Sequence, residues 1–362
     1  MDITFVDIAH FFAGLYSLIL ILIGTPLNLL CFYIYTRLVP NRSNPTIIVF
    51  AHLALIELLI PFTWNLNYVV RELLWKFQKD ITIKNLEAHS LFVCKLISYS
   101  AYFSLQCAAW LKTLASFARC VSVHQDWSIK NWLSKPIFIY RAIWFVIFAI
   151  ASINFPVLII NGQKEEGKDA YNQTKIIVKC YASNFFHSWE YVHLLLYNFI
   201  PFTLMIICNI SIIRHVKNSR RRTQRSRLNS QNSSNRRGSA KEGGRLTKTL
   251  ILITILFIVL TAPAAIYYIT LGKYIKTHRA LITMCLSNLA TTSHVTSFII
   301  YWLISSDFRD AAISILFCRP VAARRIPTIT DDKQQAKCGS NQLAKDENER
   351  KLPLVQSSTT VE

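Results

Sequence analysis

The chain has 362 residues, 52% of them hydrophobic and 17% charged, with a formal net charge of +20 and a mean hydropathy of +0.31. Soluble domains carry about 25% charged residues, so this composition excludes an ordinary soluble globule and points to a membrane. The positive excess does not indicate a nucleic-acid partner, because the bases sit in short stretches between apolar runs.

In chain order, the first ten residues, MDITFVDIAH, carry two Asp and no Lys or Arg. The positive region of a cleavable signal peptide is missing, and the apolar run that follows reads as an anchor retained in the membrane. A helix needs about 20 apolar residues to cross a bilayer. Seven stretches qualify: 11–36, 46–70, 91–121, 137–161, 188–213, 246–271 and 280–304. The first, fourth and sixth are the most apolar, and ILITILFIVL (251–260) has no charge at all. The second, third and seventh are more polar, as helices facing a bundle interior are. The third contains Lys112 and has the weakest hydropathy signal. The fold class expected is an all-α, seven-transmembrane helix bundle over 11–304, after a short outer N-terminus (1–10).

Orientation follows from the Lys/Arg bias of the connecting segments. Segment 214–249 carries twelve Lys and Arg against one acid, Glu242, and 37–45 carries Arg37 and Arg42 with no acid. Both are expected in the cytosol, which puts the N-terminus outside. Segment 219–244, rich in Ser, Arg, Asn and Gly, is expected to be disordered. After the last span, SSDFRDAAISILF repeats Phe308, Ala311, Ala312, Ile315 and Leu316 at helical spacing. It reads as a short amphipathic eighth helix (305–318) on the inner membrane surface, before a disordered polar tail (319–362).

Each span carries one distinctive residue. They are Asn28 in GTPLNLL, Glu57 closing HLALIE, Arg119 25 residues after Cys94, Trp144, Pro201, Phe257 six before Pro263, and Tyr301 seven before Phe308-Arg309. In this order they resemble the rhodopsin-like (class A) G-protein-coupled receptors over about residues 11–318. The resemblance implies an extracellular ligand, a heterotrimeric G-protein and arrestin as partners, and a multi-pass plasma-membrane location among membrane lipids. It makes Arg119, Phe257, Pro263 and Tyr301 the coupling and activation residues. It maps ligand contacts to Tyr68, Arg71, Tyr102, Gln106, Glu190, His193, Tyr268 and Ser287. It implies a Cys94–Cys180 disulfide, and a sodium ion held by Glu57, Asn28, Ser293 and Ser297 as the one candidate cofactor. Alternatively, a protonated Glu57 shares hydrogen bonds with Asn28 and binds no ion. Position also marks Asn172 for glycosylation and Cys318 for palmitoylation.

The departures narrow the ligand. Ala101 stands where amine receptors have an acid, and Thr291 where photopigments have a lysine. An aromatic, amide-lined pocket with Arg71 and Glu190 suggests a short peptide. Other departures touch the switch: Ala118-Arg119-Cys120 lacks the usual acid, Thr261 replaces a tryptophan, Asn209 a tyrosine, and Ser297-Phe298 an asparagine-proline pair. A loosely held inactive state with basal signalling is the expectation. No catalytic motif occurs, so an enzyme is not expected. A seven-helix channel or transporter, or a receptor-like protein that does not couple, are the rival readings.

Overall fold

A computed structural model describes residues 5–38, 44–74, 85–124, 135–168, 174–228, 237–272, 274, 275 and 277–317. Six helical stretches are long and apolar enough to cross a bilayer: Phe5–Leu38, Pro45–Leu74, Leu91–Val123, Pro136–Ile160, Asn184–Ser219 and Thr247–Leu271. Each overlaps one of the first six predicted spans. The seventh comes in two pieces, Arg279–Val295 and Ser297–Ile304, meeting at Thr296.

No proline causes that break. The hydroxyl of Thr296 donates to the Thr292 carbonyl at 2.8 Å, Thr292 to Asn288 at 2.8 Å, and Ser293 to Ala290 at 2.7 Å. Hydroxyls that compete for helix carbonyls bend the helix. Prolines act elsewhere. Pro61 sits in a 3-10 turn, Ile60–Phe62, that divides the second span. Wide π-helical turns at Leu195–Phe199 and Tyr267–Leu271 stand beside Pro201 and Pro263. Proline removes one helical hydrogen bond, and a π turn is one way to accommodate the altered spacing.

Burial is inverted relative to a soluble protein. Trp144, Phe145 and Phe148 of the fourth span are 62%, 73% and 74% exposed, while Glu57, Lys112, Asn154 and His294 are buried. An apolar rim around a polar interior is what lipid surroundings require. In lipid, spans associate through packing and interhelical hydrogen bonds, each worth about 0.6–2 kcal/mol. One such cluster ties the first, second and seventh spans. Ser17 Oγ and Asn65 Nδ2 both donate to Asn288 Oδ1, at 2.7 and 2.6 Å. Thr291 Oγ1 donates to Asn65 Oδ1 at 2.9 Å, and Asn288 Nδ2 to the Ala13 carbonyl at 2.8 Å.

At one end of the bundle, β1 (Gln163–Lys168) and β2 (Thr174–Lys179) pair antiparallel, with Gln163 opposite Lys179. Gly162 feeds the hairpin at φ +80°, and a Cβ there would lie 2.6 Å from Leu91 Cδ1 and 3.1 Å from Cys94 Sγ. Only glycine suits both the backbone and the space. At the other end, Ser305 caps the helix Ser306–Leu316 by accepting from the Phe308 N–H. Phe308, Ala311 and Ala312 turn inward, and the Phe308 ring packs 5.5 Å from that of Tyr301.

The expectation of a disordered 219–244 needs correction. The fifth helix continues to Leu228 and the sixth starts at Arg237, so within the basic segment placed at 214–249 residues 214–228 and 237–249 are helical. Arg, Lys and Gln are good helix formers, and extending the helices beyond the apolar run costs little. Asn172, Cys318 and the tail 319–362 lie outside the described residues.

Candidate functional site

Seven of the eight expected ligand residues converge. Tyr68, Arg71, Tyr102, Glu190, His193, Tyr268 and Ser287 line one cavity of about 550 Å³, at the hairpin end of the bundle. This is within the ordinary range for ligand pockets. Gln106 is the exception. It is fully buried behind the wall, bonded to His193 Nδ1 at 3.1 Å and accepting from Asn154 Nδ2 at 2.7 Å. It therefore positions His193 and does not line the cavity. Arg71 is already engaged, with its Nε 2.7 Å from Glu72 Oε1.

Sequence reasoning missed Glu87, Tyr181, Asn198 and Arg279, which also line the cavity. Glu87 and Tyr181 lie between spans, where no helical periodicity marks them. The Cys94–Cys180 disulfide is present, with Cα atoms 6.0 Å apart, and it brings Tyr181 to the third span. Tyr181 sits at φ +62°, an uncommon conformation for a bulky residue. It is held there from three sides. Its N–H donates to Asn161 Oδ1 at 2.9 Å, its hydroxyl donates to Glu87 Oε1 at 2.9 Å, and Trp64 Nε1 donates to that hydroxyl at 3.0 Å.

Burial holds the Glu87 carboxyl above its ordinary value of 4.5, while the Tyr181 hydrogen bond and the Arg71 charge act in the opposite direction. A raised carboxyl binds its proton more tightly in the folded protein than in the unfolded chain. Its contribution to stability is therefore complete at low pH and is lost as pH rises through the raised value. Thermal unfolding followed from pH 4.5 upward should show this fall, and Glu87→Gln should flatten it. An unchanged slope in the variant would trace the pH dependence to another group.

Beneath the cavity lies a buried charge cluster. Lys112 Nζ is 2.8 Å from Glu57 Oε1 and 3.0 Å from His294 Nδ1, and His294 Nδ1 is 3.0 Å from Glu57 Oε1. His294 Nε2 is 3.1 Å from the Tyr197 hydroxyl, and Tyr197 lines the cavity above. Lys112 Nζ also lies 4.5 Å from the centre of the buried Phe257 ring. Tyr197, on the fifth span, also meets the sixth-span Phe257 directly, ring centroids 5.6 Å apart.

The set expected to hold sodium does not fit the ion. Of its members, Ser297 Oγ lies 3.5 Å from Glu57 Oε1, Ser293 Oγ donates to the Ala290 carbonyl of its own helix, and the buried Asn28 amide hydrogen-bonds to no group among the described residues. The alternative of a protonated Glu57 bonded to Asn28 also fails. The carboxylate already has an ammonium against it. A second cation 4 Å from that ammonium would be repelled by about 4 kcal/mol at an effective dielectric of 20.

At the end of the bundle opposite the hairpin, Arg119 Nε donates to Thr247 Oγ1 of the sixth span at 3.1 Å, and Arg119 Nη1 to Ser122 Oγ at 3.5 Å. The Thr247 hydroxyl is thus one sixth-span contact of this arginine. Tyr301 is buried in a ring cluster with Tyr35, Phe50 and Phe308, centroids 5.1 to 5.5 Å apart.

Residues 27–307 match the family described as 7 transmembrane receptor (rhodopsin family). The chain belongs to the rhodopsin family of seven-transmembrane receptors. As a member it is a multi-pass membrane receptor and not an enzyme, and the two pieces Arg279–Ile304 make up its seventh span. Cysteinyl leukotriene receptor 1 of Cavia porcellus is 30% identical over 132 residues, 34% of this chain and 35% of the relative. Its counterpart in Homo sapiens is 29% identical over 131 residues, 34% and 36% of the two chains. Proteinase-activated receptor 2 of Mus musculus is 22% identical over 349 residues, 89% of this chain and 76% of the relative. The match to the leukotriene receptors thus spans about a third of their length.

Proposed function

We propose that this rhodopsin-family receptor binds a short extracellular peptide in the cavity and activates a heterotrimeric G-protein from its opposite end. In this reading the N-terminus and hairpin face outward at the plasma membrane, and the basic ends of the fifth and sixth helices face the cytosol and its anionic lipids. One observation carries it: the cavity floor residue Tyr197 is hydrogen-bonded to His294, which contacts both Glu57 and Lys112. Ligand pressure on Tyr197 has a direct path to the cluster that joins the second, third and seventh spans. Aromatic walls with both acids (Glu87, Glu190) and bases (Arg71, Arg279) suit a ligand that carries amides and charges of both signs. A peptide does.

A peptide library applied to cells carrying the receptor and a promiscuous G-protein reporter tests the ligand. Nucleotide exchange on purified G-proteins tests the coupling. Cysteinyl leukotrienes belong in the same screen, since two relatives are named for them. Exchange driven by a leukotriene and by no peptide would replace the peptide reading. Current or flux without exchange would favour a channel or transporter, and binding without exchange a receptor-like protein that does not couple.

The Arg119–Thr247 contact predicts a weak restraint on the inactive state. Ala118→Asp adds a carboxylate beside Arg119 at a buried position, and an ion pair that contributes about 1 kcal/mol shifts the resting equilibrium roughly fivefold. Agonist-free nucleotide exchange should fall by about that factor. An unaltered basal rate would mean that Arg119 does not govern it.

A further inference from the structure

The cluster of Glu57, Lys112 and His294 holds an ammonium ion that belongs to the chain. All three side chains are at most 2% exposed, at the level of Phe257 in the middle of the bundle. An ammonium group has donors only. His294 Nδ1 lies 3.0 Å from both this ammonium and Glu57 Oε1, and Nε2 lies 3.1 Å from the Tyr197 hydroxyl; beside an ammonium the ring stays neutral, with one nitrogen donating and the other accepting. The cluster then holds one carboxylate, one ammonium and one neutral imidazole, and its net charge is zero. The Phe257 ring closes the remaining side of the ammonium at 4.5 Å, a cation–π distance.

We propose that Lys112 is the resident counter-cation of Glu57, tethered through its own side chain, and that it makes this receptor indifferent to sodium. A diffusible cation leaves and returns with its concentration. Lys112 cannot leave, so the charge balance of the interior is set by helix packing alone. The third span must carry the cation with it whenever it moves against the second. The prediction is of two linked behaviours: the natural receptor has no sodium response, and a receptor without the ammonium acquires one.

The test is thermal unfolding of the purified full-length receptor in sodium chloride and in choline chloride at equal ionic strength. It needs neither an identified ligand nor a G-protein, so its outcome is independent of the peptide reading. For the natural chain the two salts should give the same unfolding temperature. Lys112→Met keeps an unbranched side chain of similar reach and removes the charge. That variant should unfold at a lower temperature in choline. It should recover roughly 2–4 °C when sodium exceeds its dissociation constant about tenfold. A sodium-specific rise in the natural chain overturns the proposal, as does a Lys112→Met protein that folds and ignores sodium. Should Lys112→Met fail to fold, the pair Glu57→Gln with Lys112→Met decides. A folded, sodium-indifferent double variant supports charge balance by Lys112, and a double variant as unfolded as the single one overturns it.

Discussion

Glu57→Leu is expected to lower the stability of the folded receptor by about 3–5 kcal/mol, the range for removing one partner of a buried ion pair. The loss comes less from the missing attraction than from what remains. Lys112 would be left 2% exposed, against an imidazole and an aromatic ring, without the one carboxylate that pairs with it among the described residues. Replacing the pair together, Glu57→Leu with Lys112→Met, should restore most of the loss, since a buried pair exchanged for apolar groups of similar volume is often neutral. Unfolding temperatures of the two single variants and the double variant give the coupling directly. Additive losses in the double variant would mean that the two side chains do not act as a unit.

Removing the Cys94–Cys180 bridge, by Cys94→Ala with Cys180→Ala, should cost about 2–5 kcal/mol. The bridge spans 86 residues, so the unfolded chain regains much freedom without it. The local effect adds to this. Tyr181 follows the bridged cysteine and depends on it to keep a left-handed backbone at φ +62°. Without that anchor the contacts to Asn161, Glu87 and Trp64 would have to hold it alone. Tyr181→Phe is the control: it keeps the bridge and loses the hydroxyl contacts, for about 1 kcal/mol per hydrogen bond. If the bridge variant melts no lower than Tyr181→Phe, the disulfide is not what organises the cavity mouth.

The spans were legible because each is a property of one continuous stretch. Windows of about 20 apolar residues found seven, and residues at one place in each span gave the family. Cavity residues on spans, such as Tyr68, Tyr102 and Tyr268, were also legible, because their helix and depth follow from the anchors. What failed was anything that depends on how separate helices rotate toward each other. Lys112 entered only as a weakness in the hydropathy of the third span, and Glu57 as an acid awaiting an ion. Their partnership joins residues 55 apart, and His294 lies a further 182 along. Gln106 has the right depth for the cavity but points to Asn154 behind it. Glu87 and Tyr181 lie in connecting segments, whose course is set by a disulfide and a positive φ that no periodicity announces. The helical extension to Leu228 was hidden by composition: its polar residues suit water and helix equally well.

The break in the last span has a further meaning. A pyrrolidine ring makes a bend permanent, because the missing N–H can never be supplied. Here the bend rests on threonine and serine side chains, and threonine in a helix already divides its time between two χ1 settings. One such rotation lets go of the Thr292 carbonyl without breaking any covalent constraint. The segment Ser297–Ile304, which carries Tyr301, therefore hangs from an adjustable joint, stiff or slack according to where a single oxygen points.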